Sequence, residues 1–370
     1  MILLLASVLV ACFAVGTWAW RAPGIGLVGS LGGYAPGWLV VFGATIVAVA
    51  LARDTSAGVV AALLGGFTVV SGVYFSADQW RVLRRHGVTT TLWDFFALLP
   101  RKRRGPDDTV TYGPVDGRSH RMAIYRPQPG ESPAPVVFFV HGGAWADGNE
   151  ASDTAFLRPL ADRGFLVFSA TYTLATEGLQ TWDIAPREVA AAMTAASQLS
   201  EQYGGSRSRF YVAGNSAGGH LATLVANRVS AGDDFGGGYG TLPTINAVAV
   251  NIAAVDPGLD NPYWKVRDVV RRIRTTFVGG EPDEFPDRYT QLTSANFLHP
   301  AAPPTLLTYG PNDWLVPSEG TLDYARRAEQ LDVGVRIVAI PWTGHLIGLS
   351  GAARRAIIQL TAEWFDDHST

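Results

Sequence analysis

The chain has 370 residues, 48% of them hydrophobic and only 16% charged, with a formal net charge of −3. A charged share this far below the roughly 25% of soluble domains predicts that part of the chain does not sit in water, and it excludes intrinsic disorder. No basic face argues for a nucleic-acid partner, and a single cysteine, Cys12, excludes a disulfide scaffold and cysteine-based metal sites.

The charge is unevenly spread. Residues 1–77 carry three charged side chains, Arg21, Arg53 and Asp54. Three apolar stretches fill this front segment: Ile2–Trp20, Trp38–Ala52 and about Gly58–Phe75. A bilayer-spanning helix needs roughly 20 apolar residues. The segment therefore reads as a transmembrane anchor of about three helices, the second and third forming a hairpin that turns at residues 53–56. Gly58, Gly65, Gly66 and Gly72 suit close helix packing in lipid. Leu9-Val10-Ala11-Cys12 resembles a lipoprotein cleavage box, but no Lys or Arg precedes it. A signal sequence needs such a positive n-region, so a retained helix is expected.

Residues 78–106 read as a basic, aromatic interfacial linker. Arg81, Arg84, Arg85 and the run Arg101-Lys102-Arg103-Arg104 follow the third helix, whereas Arg53 falls on the other side. The positive-inside rule then places the C-terminal part in the cytoplasm, at the plasma membrane of a bacterium. Between the basic clusters, Leu92, Trp93, Phe95, Phe96, Leu98 and Leu99 either lie in the membrane interface or pack on the following domain.

From residue 107 the texture becomes that of alternating strands and helices. Short strands are predicted at 110–112 and 121–125, with a turn at Pro127-Gln-Pro-Gly130. The alternation continues with a strand over 136–140, a helix over 154–163, a strand over 165–170, a helix over 184–202, a strand over 210–213 and a helix over 217–228. It ends with strands over 245–253, 305–309 and 335–340, and helices over 321–330 and 352–365. This pattern implies an α/β domain, residues 107–370, with a mainly parallel sheet and helices on both faces. Loop 233–240 is glycine-rich and reads as a surface excursion. Residues 256–298 interrupt the alternation and are expected to form a small cap. Its arginines 267, 271, 272 and 274 recur at helical spacing, as a solvated face would.

Chemistry in such a sheet belongs at the carboxyl ends of the strands. The 210–213 strand runs into Gly214-Asn-Ser216-Ala-Gly218, a Gly-x-Ser-x-Gly between strand and helix, the setting of a nucleophile elbow. Ala217 starts the helix, so its N–H is free at the positive end of the dipole. The 136–140 strand ends in His141-Gly-Gly-Ala-Trp145, a loop suited to turning backbone N–H groups toward an oxyanion. A serine needs a base and the base an orienting carboxylate. Among seven histidines, His345 follows the last strand on the appropriate loop, with His299 a distant second. Asp313 follows the preceding strand, giving the chain order Ser–Asp–His.

These motifs resemble the α/β-hydrolase family, in its hormone-sensitive-lipase-like and HGGxW esterase group, over about residues 107–367. The resemblance implies Ser216 as nucleophile, His345 as general base and then acid, and Asp313 as its orienter. It implies oxyanion donors from the backbone of Gly143, Ala144 and Ala217, with Gly142 shaping the loop. It implies no metal or organic cofactor. Two positions depart from the family pattern: Ala144 replaces a common third glycine, and Thr173 stands where an arginine is frequent. The expectation is a membrane-anchored serine carboxylesterase or lipase acting on small-molecule or lipid-like esters. An acyltransferase or peptidase would use the same triad, and a catalytically silent membrane scaffold is the reading from a different class.

Overall fold

The computed structural model describes residues 1–19, 31–53, 55–115, 117–128, 133–237, 240–263 and 266–369. Arg21 and Asp54, the end of the 127–130 turn, residues 238–239 of the glycine-rich loop and Trp264 of the cap lie outside the described residues.

The apolar front folds into α1 (Ile2–Trp18), a short α2 (Leu31–Tyr34), α3 (Pro36–Leu51) and α4 (Ser56–Arg85). Among the described residues only α4 is long and apolar enough to cross a membrane. At 17 and 16 residues, α1 and α3 fall short of that length. The hydroxyl of Thr55 caps α4 by accepting the Gly58 N–H at 3.0 Å. α3 and α4 approach at glycine: a Cβ on Gly43 would lie 2.7 Å from the Gly65 carbonyl oxygen. Only hydrogen fits at this crossing. The outward side chains stay apolar, with Leu5, Leu9, Phe42, Leu63 and Val70 exposed.

α4 differs from the predicted third stretch, because it does not stop near Phe75 but continues to Arg85. No breaker intervenes before Gly87, and Gln79 and Leu83 on this extension are fully buried. Arg81, Arg84 and Arg85 therefore ride on a helix docked to the following domain, not on a free linker. Residues 92–99 are split, and only part of the segment packs on the domain. Phe95 is buried in the domain core, whereas Leu92, Trp93 and Leu99 are exposed.

Beyond this segment, eight strands form one sheet in the order β1-β2-β4-β3-β5-β6-β7-β8. They are β1 (Asp108–Val115), β2 (Arg118–Tyr125), β3 (Ala134–Val140), β4 (Leu166–Ala170), β5 (Gly205–Asn215), β6 (Ala247–Asn251), β7 (Thr305–Tyr309) and β8 (Val335–Ala339). β1/β2 and β2/β4 pair antiparallel and every other pair is parallel. β3, β4 and β6 are buried along nearly their whole length because helices cover both faces of the sheet. One face is packed by α6 (Ala185–Ser200), α7 (Ser216–Ser230) and α10 (Ser318–Gln330). The other is packed by α5 (Thr154–Ala161), α11 (Gly351–Asp367) and the end of α4. Between β6 and β7, the 256–298 insert contributes α8 (Arg267–Val278) and α9 (Pro286–Leu292).

Candidate active site

β5 and α7 meet without a connecting loop, and the turn falls on Ser216, whose φ is +51°. A non-glycine residue rarely holds this conformation, and it lifts the hydroxyl clear of the strand end. Glycine at 218 is what lets α7 start so close to the sheet. A Cβ there would lie 2.2 Å from the carbonyl oxygens of both Val140 and His141.

Two further loops bring partners to this hydroxyl. Ser216 Oγ lies 3.0 Å from His345 Nε2, and His345 Nδ1 lies 2.9 Å from Asp313 Oδ2. Asp313 Oδ1 accepts the N–H groups of Leu315 and Val316 at 2.9 and 2.8 Å, which fixes the carboxylate plane. The loops interlock, with Asn312 N–H donating to the Thr343 carbonyl at 2.9 Å. His299 stands elsewhere, 2.9 Å from Ser230 Oγ.

The β3 exit loop faces the same hydroxyl. Gly143, Ala144 and Trp145 take φ values of +119°, +52° and +59°, and the Gly143 carbonyl accepts from Ala146 and Asp147 N–H. Among the described residues, the Gly143 and Ala144 N–H groups have no protein acceptor. Ala217 lies in the first turn of α7, where N–H groups lack helical partners. Gly142 shapes the loop, where a Cβ would lie 3.0 Å from the Asn215 carbonyl oxygen, and its N–H faces the Asp153 carboxylate.

Asp153 also accepts from the Asn215 amide at 2.5 Å, and Asn251 donates in turn to Asn215. Burial pushes the Asp153 carboxyl up to about 6, against the lowering effect of its Asn215 and Gly142 hydrogen bonds. Neither Asp153 nor Asn215 stood out in the sequence, since an Asp at the start of a helix reads as an ordinary cap.

His220, inside α7, ties the site to the cap. Its Nδ1 accepts from Trp145 Nε1 at 3.2 Å and its Nε2 donates to the Leu292 carbonyl at 2.7 Å. Trp145 stacks on Phe277 of α8, with centroids 4.4 Å apart and planes 7° apart. Burial lowers the His220 pKa to about 4. The unfolded chain therefore binds the extra proton between about pH 6.5 and 4, and stability contributed by the neutral ring is lost as pH falls through that window. Asp153, with its raised pKa, acts in the opposite sense between about pH 4 and 6, so a variant comparison isolates the histidine. His220→Gln is expected to gain stability relative to the parent by on the order of 3 kcal/mol between pH 7 and pH 4. Chemical denaturation at both pH values measures it.

The Thr173 departure has a local answer. The Thr173 N–H and hydroxyl bond Glu188 at 2.6 and 2.7 Å, and His120 reaches the same carboxylate at 3.0 Å. Burial raises the Glu188 pKa, but these hydrogen bonds outweigh it and hold the carboxyl below its ordinary value.

The His345 loop is also gripped by the front helices. Tyr34 OH accepts the Gly344 N–H at 3.1 Å, and Gln79 donates to the Pro341 carbonyl at 3.0 Å and to that of Gly33 at 2.7 Å. Trp342 donates to Asp78 at 3.0 Å and packs among Trp18, Tyr74 and Phe75. Tyr34→Phe deprives a buried N–H of its acceptor. It is expected to lower stability by about 1–3 kcal/mol, read as a drop in Tm.

Two cavities flank Ser216 and His345. One, of about 500 Å³, lies under the cap between Ala144, Trp145, Leu259, Ile273 and Val316. Arg274, the one cation among its described lining residues, is consumed by the carbonyls of Pro257 and Leu259 and by Glu281 at 3.1 Å. Arg267, Arg271 and Arg272 are exposed, as a solvated face requires. The other cavity lies on the far side of His345.

Sheet order and the strand–turn–helix at Ser216 define an α/β-hydrolase fold. Residues 122–327, more than half of the chain, match the BD-FAE family, and the chain belongs to it. It is similar to the probable carboxylic ester hydrolase LipM of Mycobacterium tuberculosis, 26% identical over 78% of this chain and 67% of that protein. It is also similar to a probable isoprenylcysteine alpha-carbonyl methylesterase of Arabidopsis thaliana, 24% identical over 68% of this chain. That alignment covers 52% of the plant protein, so the chain spans between half and two thirds of these curated relatives. Among solved structures, a bacterial heroin esterase superposes with a TM-score of 0.59 at 23% identity, covering 71% of this chain and 84% of that one. The two curated relatives are named as a carboxylic ester hydrolase and a methylesterase.

Proposed function

We propose that the chain is a membrane-anchored serine carboxylesterase or lipase whose substrates are amphiphilic esters. The hydrogen-bonded chain from Ser216 through His345 to Asp313 is the observation that carries the reading. Ser216 Oγ attacks the ester carbonyl while His345 Nε2 takes its proton, and Asp313 steadies the imidazolium. The developing oxyanion is held by the N–H groups of Gly143, Ala144 and Ala217. The carbon–oxygen bond to the alcohol then breaks, with the His345 proton passing to the departing oxygen. Water, deprotonated by His345, releases the acid from the acyl-enzyme. The names of the relatives support ester hydrolysis, and the Arabidopsis protein's name includes the ester of a lipid-modified cysteine.

Residues 1–77 serve as the anchor, with residues 107–370 as the catalytic domain and 256–298 as its cap. Support for the anchor is the long apolar α4 and the apolar exterior of α1 and α3. Charge distribution favours a cytoplasmic domain in a bacterial plasma membrane. A fluorophosphonate probe is expected to label the purified protein, and labelling that persists in Ser216→Ala would defeat the assignment. Product analysis in the presence of lipid alcohols separates hydrolysis from acyl transfer.

A further inference from the structure

The cavity beyond His345, about 940 Å³, is walled by apolar side chains such as Phe156, Ile252, Leu346 and Ile347. If His345 returns its proton to the departing alcohol, the alcohol half of the ester must lie on the His345 side. The cavity under the cap, on the side of the oxyanion donors, is left for the acyl half. This assignment rests on the esterase reading given above.

The alcohol-side cavity does not end in solvent alone. Pro100, Ala155 and Arg354 line it and also line a neighbouring groove of about 1980 Å³. Arg101, Arg103, Arg163 and Arg355 edge that groove, with Trp38 and Trp93. Arg354 forms wall, its guanidinium spent on the carbonyls of Leu99, Gly348 and Leu349. Asp94, the one acid among the described lining residues, is held by Arg355 at 2.8 Å. Arg101 and Arg103 have no carboxylate partner among the described residues. Burial lowers the Arg163 pKa, and the like charges of Arg355 and Arg103 lower it further, against Asp162 and Glu363. These guanidinium groups crowd one cavity with too little negative charge to balance them. Guanidinium clusters of this kind bind phosphate through paired, charge-assisted hydrogen bonds.

The groove also sits where headgroups would be. Trp38 at the start of α3 donates to the Phe96 carbonyl at 2.8 Å, fastening the helices to the groove wall. Trp18, Trp38, Trp80 and Trp93 are all exposed at the domain-facing ends of the apolar helices or just beyond them. Exposed tryptophans gathered at one level are the mark of a membrane interface.

We propose that this groove is a headgroup subsite. It receives the phosphate of a membrane-resident ester whose alcohol half carries that anion, while the cavity beside His345 holds the link to the scissile bond.

A matched pair of substrates tests this with the full-length protein in vesicles: a 1-acylglycerol 3-phosphate and the corresponding 1-acylglycerol. The phosphate ester is expected to show kcat/KM at least about tenfold higher, an advantage that shrinks with added salt. In the combined variant Arg101→Gln, Arg103→Gln, Arg163→Gln the ratio should fall toward one. Arg272→Gln on the exposed cap face should leave the ratio as it was, since both substrates are read on the same enzyme. A ratio near one in the parent, with both esters turned over, would overturn the subsite and leave the esterase reading standing. The same advantage for a soluble short-chain acylglycerol phosphate without vesicles would overturn the membrane source. Turnover of neither ester, together with no probe labelling, would take down the esterase reading and the subsite with it.

Discussion

Ser216→Ala is expected to reduce kcat on any ester by roughly 10⁵-fold or more, to the level set by binding and oxyanion donation alone. Thermal unfolding should change little, because among the described residues the hydroxyl's one hydrogen bond is to His345 and alanine keeps the chain's path. The φ of +51° remains mildly strained in the variant, so the fold should retain parental stability within about 1 kcal/mol. A loss of activity accompanied by a collapsed Tm would mean that the serine supports structure, not chemistry.

Asp313→Asn should cost about 10⁴-fold in kcat for a different reason. The aspartate Oδ1 is already fixed by two backbone N–H groups, so an asparagine must keep its carbonyl oxygen there. Its NH₂ then points at His345 Nδ1, where a donor now stands. The imidazole answers by placing its own proton on Nε2, which can no longer accept from Ser216. The side chain of Asp313 is only 3% exposed, so water does not relieve the mismatch. The expected signature is a loss in kcat with a smaller change in KM.

Much of this is legible in the sequence. Ser216, His345 and Asp313 stand out by their place after strands, and the loops that follow β5, β7 and β8 bring them within hydrogen-bond distance. Strand ends are legible because apolar runs stop abruptly there and glycines follow. What escaped was the layer behind the site. Asp153 and Asn215 bond each other across 62 positions, and no periodicity announces such a pair. His220 was hidden by its helical setting, although a buried imidazole with two partners is tertiary by nature. The extension of α4 is hard to read from the sequence because its terminal turns carry arginines. Their charge masked the buried stripe of Gln79 and Leu83 on the opposite side.

The grip of Tyr34, Gln79 and Trp18 on the 341–345 loop also bears on how the protein can be handled. Cutting the chain after α4 to obtain a convenient soluble fragment would not separate two independent modules. It would strip Trp342 of its aromatic neighbours, leave the Gly344 N–H without its hydroxyl, and open the wall that Leu83 closes. Such a fragment would lack the side chains that brace the histidine loop, even with every residue after 106 retained. The smallest faithful preparation is the whole chain.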